Sequence, residues 1–129
     1  TEEDERFFKT AKRLLKPGGY IVWGNAIPDS TCKPCLDYLE SIGMKTIEVR
    51  DVTKEAVRAR DEDKERIEVY FDQCKDIWLG FRIPVLGSQK LVEAERALKN
   101  FARHPGTRLY ENMVDGTDTY KVVLIQKPA

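Results

Sequence analysis

Apolar residues in the first fifteen positions fall at Phe7, Phe8, Ala11, Leu14 and Leu15, a spacing that predicts a helix with one apolar face. Thr1 can cap it, the carboxylates of Glu2, Glu3, Asp4 and Glu5 suit the positive end of its dipole, and Lys12, Arg13 and Lys16 suit the other end. Pro17-Gly18-Gly19 stops it. The next residues, Tyr20-Ile21-Val22-Trp23, show no polar alternation, which predicts a strand covered on both faces in a parallel sheet. A loop over 24–30 leads to a second helix over about 33–42, ended by Gly43, and the alternation over 45–50 predicts another strand. Residues 54–75 read as one long charged helix, 89–102 as another, and 119–127 as a terminal strand after the turn Asp115-Gly116-Thr117-Asp118. Helices alternate with strands, so the fold class expected is α/β layering in a single domain over 1–129, with a helical insertion at about 54–102.

Composition narrows the function. Lysine and arginine total 22 and aspartate and glutamate total 22, so no net field draws the chain to nucleic acid or an anionic membrane. The charged run Arg58 to Glu68 mixes both signs at helical spacing and reads as a solvated helix face. No apolar run approaches the roughly 20 residues of a membrane span, and the acidic opening is not a signal peptide. Three cysteines make no disulfide framework, so a reducing, cytoplasmic setting is expected. The chain opens inside a helical pattern without methionine, which leads us to expect part of a longer polypeptide.

The order of these segments resembles a known family. "RLLKPGG" running into "YIVWGNA" resembles the passage into the fifth strand of class I S-adenosylmethionine-dependent methyltransferases. "LDYLESIGMKTIEVRDVT" is similar to that family's next helix and sixth strand, and "DGTDTYKVVLIQKP" to its last strand. The resemblance implies the C-terminal part of a Rossmann-like sheet, with the terminal strand antiparallel between the other two. It implies a small-molecule methyl acceptor and a cofactor, S-adenosylmethionine, bound by the full-length protein. The family holds that cofactor on a glycine-rich turn after its first strand, which nothing here matches. This half is therefore expected to bind little cofactor and to be inactive alone. Insertions near the family's sixth strand shape the acceptor site, which makes Tyr70, Trp78 and Phe81, with Asn25 at the end of the fifth strand, the pocket candidates. A sheet cut from its first half exposes an edge at 20–23, from which self-association into a homo-oligomer is expected.

Two other readings stay open. Cys32-Lys33-Pro34-Cys35 at a helix start resembles the redox motif of thioredoxins and glutaredoxins, where the helix dipole and Lys33 would stabilise a thiolate on Cys32, and Pro84 in "RIPVLG" would face the cysteines. A non-catalytic interaction domain is the third. Zinc would need Cys32, Cys35, Cys74 and His104, whose separations fit no zinc-finger spacing, so no metal is expected. His104 has the chemistry of a general base, although its His-Pro-Gly setting reads as a surface loop.

Overall fold

The computed structural model describes residues 2–80 and 88–129, with the side chains of 75–80, 88, 89 and 91 excepted. Thr1, Phe81 and Pro84 lie outside the described residues, as does the side chain of Trp78. The order is α1 (Glu2–Leu14), β1 (Tyr20–Ile27), α2 (Asp29–Ser41), β2 (Lys45–Asp51), α3 (Thr53–Glu62), α4 (Lys64–Gly80), α5 (Ser88–Phe101), α6 (Arg108–Val114) and β3 (Thr119–Gln126). The chain divides into two compact units, residues 1–53 with 116–129, and residues 54–115.

The first unit is built on a three-stranded sheet of order β1-β3-β2. Both outer strands run antiparallel to β3 and hence parallel to each other, and α2 is the crossover that parallel strands require. The terminal strand thus lies where the sequence places it, antiparallel between the other two. The cross-strand neighbours Ile21 with Ile125 and Trp23 with Val123 turn inward, and Phe8 of α1, Cys35 and Leu39 of α2, and Met44 close over them. Phe8 meets Trp23 edge to face with ring centroids 5.5 Å apart.

The two motifs at the ends of this unit clasp each other. Gly18 N–H donates to Lys127 O at 2.9 Å and Lys127 N–H to Gly19 O at 2.8 Å. The Lys127 ammonium then reaches Lys12 O at 3.1 Å and Leu15 O at 2.7 Å, satisfying carbonyls that the end of α1 leaves orphaned and placing a cation at its negative pole. Gly18 has φ of 74°, a conformation that favours glycine, and a Cβ on Gly19 would stand 2.9 Å from Lys16 O.

Several expectations need correction. The strand at Tyr20 is longer than the apolar run, extending to Ile27, and within its unit the helices cover one face only. Tyr20 and Val22 are 56% and 70% exposed on the other face. Phe7 and Leu14 are also exposed, because the α1 stripe that meets the sheet is narrower than the apolar stripe and centres on Phe8. The long charged helix is two helices that break near Asp63, and α6 is an element the sequence pattern did not announce. α2 starts at Asp29, four residues before the expected position, with Asp29 at the positive end of its dipole.

Candidate functional site

The carboxyl ends of β1 and β2 lie side by side, separated by the start of β3, so their polar residues form rungs. Asn25, Lys121 and Asp51 make one such rung. Lys121 bonds Asp29 of α2, whose Oδ1 also accepts from Thr119 Oγ1 at 2.8 Å. These bonds hold the Asp29 carboxyl below its usual range and push the Lys121 ammonium up, chiefly through the bond each makes to the other. Asp51 Oδ1 accepts from both Thr53 N–H at 2.9 Å and Thr53 Oγ1 at 2.6 Å, which lowers its pKa. Thr53 Oγ1 in turn accepts from Tyr120 N–H at 2.8 Å. The acidic-residue and threonine ending of "IEVRDVT" is therefore a stitch between the end of β2 and the start of β3. Asn25 stands at this edge, with its Oδ1 accepting from Ala26 N–H at 2.9 Å.

The two cysteines lie elsewhere in the unit, on the inward side of α2. Because α2 begins at Asp29, Cys32 is already its fourth residue, and both thiols are buried. Burial pushes both up, against the smaller pull of the Lys121 charge on Cys32. That is the reverse of the lowered pKa a reactive thiolate needs, and the environment is that of packed side chains. A cavity of about 270 Å³ opens beside them, between α1 and α2, lined by Asp4, Glu5, Phe8, Pro34, Cys35 and Tyr38 among others.

Of the pocket candidates in the second unit, Tyr70 is exposed and meets Phe71 at 6.2 Å between ring centroids, with Lys99 Nζ 5.4 Å from the Phe71 centroid. A hydrogen bond with Cys74 raises the Tyr70 pKa. The cavities described do not include Asn25 or Tyr70 among their lining residues. The largest of these, about 540 Å³, opens between α5 and the start of α6, where Arg96, Asn100, Thr107 and Arg108 line it. Tyr110 OH donates to Asp61 Oδ1 at 2.6 Å, joining α6 to α3 and pushing the phenol to about 12. Sequence reasoning missed Lys121, Asp29 and Thr53, because their partners lie up to 92 positions apart. His104 is not in a surface loop but buried. Among the described residues no group of three or more His, Cys, Asp or Glu could hold a metal, and no helix is long and apolar enough to cross a membrane.

No family model and no curated protein matches the chain. Solved structures do. StiE O-MT, residues 942-1257, superposes with a TM-score of 0.62 at 14% identity, covering 98% of this chain and 39% of that one. A putative sarcosine dimethylglycine methyltransferase from Galdieria sulphuraria superposes with a TM-score of 0.61 at 16% identity, covering 99% of this chain and 48% of that one. The fold is methyltransferase-like. The chain spans less than half the length of either neighbour. In the Gly18-Gly19 turn both amides are already bonded within the chain, Gly18 N–H to Lys127 O and Gly19 N–H to Lys16 O. That turn therefore leaves no free amide for a cofactor.

Proposed function

We propose that this chain is the C-terminal half of a class I S-adenosylmethionine-dependent methyltransferase acting on a small molecule, and that it is inactive by itself. The observation that carries this reading is the asymmetry of the two sheet edges. β2 is blunted in the manner of natural edges, with Lys45, Glu48, Arg50 and Asp51 along it and a register shift between Thr46 and Glu48. β1, YIVWGNAI, has no charge and no proline, yet among the described residues nothing pairs with its outer side. It is built as an interior strand. In this reading the Rossmann-like sheet continues past β1 into the half that holds the cofactor, and that half covers Tyr20 and Val22.

In this reading the helical insertion, about residues 54–102, supplies the aromatic candidates for binding the acceptor, Tyr70, Trp78 and Phe81, and Asn25 is a separate candidate at the end of β1. Methyl transfer from a sulfonium is an in-line displacement, so holding the acceptor in place is the largest contribution this half can make. Isothermal calorimetry with S-adenosylmethionine tests the reading: little heat is expected with this chain, and clear binding once the upstream sequence is joined to it. A longer polypeptide that fails to bind would sink the assignment. Fast alkylation of Cys32 at neutral pH would instead favour the thiol-disulfide reading.

A further inference from the structure

The cavity of about 540 Å³ lies wholly within the unit of residues 54–115. Its size is that of a site for a small molecule, for which about 300–1,000 Å³ is usual. One wall is a single face of α5, where Glu93, Arg96, Ala97 and Asn100 follow at helical spacing. The other is Gly106, Thr107 and Arg108, where α6 begins. Ala97 and Gly106 put no bulk into the space, and a Cβ on Gly106 would meet nothing within 4 Å. Bonds across the turn fix the two walls against each other. Asn100 Oδ1 accepts from Leu109 N–H at 3.1 Å, Arg103 donates to Leu109 O at 2.7 Å, and Thr107 Oγ1 donates to His104 O at 2.7 Å. Within this bracing Arg103 takes φ of 54°, a conformation that costs a non-glycine residue energy.

Charge decides what the cleft takes. Among the described residues neither the Arg96 nor the Arg108 guanidinium has an ion-pair partner, whereas Arg50, Arg58 and Arg66 each pair with a carboxylate. Glu93 is the one acid of the lining and pairs with neither, so two permanent cations face a single anion. Asn100 adds a donor: with its oxygen on Leu109 N–H, its NH₂ points the other way and has no partner among the described residues. A guanidinium presents paired N–H donors that match the oxygens of a carboxylate or a phosphate. A second cavity, of about 250 Å³, shares Arg96 and Thr107 with the first, but there Glu95 already neutralises Lys99 at 2.8 Å. We propose that the cleft between α5 and the start of α6 binds the oxyanion of a small molecule, a carboxylate or a phosphate group, on Arg96, Arg108 and the Asn100 amide. The proposal is independent of the methyltransferase reading.

Titration of the full chain with sodium phosphate and with sodium acetate, followed by ¹H–¹⁵N spectra against sodium chloride at matched ionic strength, tests the cleft. Saturable shifts are expected at residues 96, 100, 107 and 108 and at the Asn100 side-chain amide, and the tighter of the two probes names the group. Arg96→Gln and Arg108→Gln, each removing one charge-assisted pair, are expected to weaken binding about tenfold or more. Ala97→Leu, which keeps every charge and fills the cleft, is expected to weaken it as well. Arg58→Gln, outside the cleft, should leave it unchanged. Shifts from both probes that only follow ionic strength overturn the proposal, as does undiminished binding in Arg96→Gln. The wild-type titrations decide the first point even if a variant does not fold.

Discussion

Thr53 closes the end of the sheet with one hydroxyl, which donates to Asp51 and accepts from Tyr120 N–H. Thr53→Val keeps the shape and removes both bonds, leaving a part-buried amide unpaired, so a loss of about 1–3 kcal/mol is expected in denaturant unfolding. The same stitch makes a pH prediction. The Asp51 carboxyl is lowered first of all by the side-chain bond from Thr53 and next by its backbone bond. A carboxyl lowered in the folded state contributes stability above its unfolded value, near 3.8, that is lost as the pH falls through the folded one. Urea midpoints measured from about pH 5 downward should fall less steeply in Asp51→Asn than in the wild type; equal slopes would contradict the assignment. The identity of "DVT" was legible as the end of a strand. Its role was not, because the third partner is 67 positions away.

At the scale of elements, the clasp between the Pro-Gly-Gly turn and the closing Gln-Lys-Pro explains why two motifs at opposite ends of the chain occur together. Lys127→Met keeps the aliphatic stem but leaves the carbonyls of Lys12 and Leu15 without their cation, and about 1 kcal/mol is expected to go, measured as an earlier denaturant midpoint with an unchanged slope. The order of helices and strands was readable from periodicity, since strands β2 and β3 and helices α1 and α5 each carry a strong repeat. The start of α2 was not. Pro34 lies inside the helix rather than at its first turn, and Asp29-Ser30-Thr31 reads equally well as loop or as first turn until the Pro28 carbonyl is seen to accept from Thr31 and Cys32 N–H. That displacement of four residues is what moved the two cysteines from a helix start to its packed side. The break at Asp63 was hidden because both flanking helices are rich in charges of both signs.

For the whole molecule, the sheet that periodicity suggested is present, and the cover it asks for is present on one face of the first unit. The apolar run at Tyr20 led to an expectation of two-sided burial that the first unit does not meet, and the exposure of Tyr20 and Val22 is the physical ground for the larger sheet we propose. An unprotected edge of eight residues pairs with what is available. At high concentration this chain is expected to associate through β1, seen as a rise in mass by light scattering, and Val22→Lys should return it to monomer without touching the core; a wild-type monomer at high concentration would count against this. The central claim, that β1 is an interior strand of a longer protein, is tested most directly by hydrogen exchange at the β1 amides that point away from β3. We predict that they exchange rapidly in the dilute monomeric chain and are slowed by orders of magnitude once the upstream sequence is joined; equal rates in both would contradict the account.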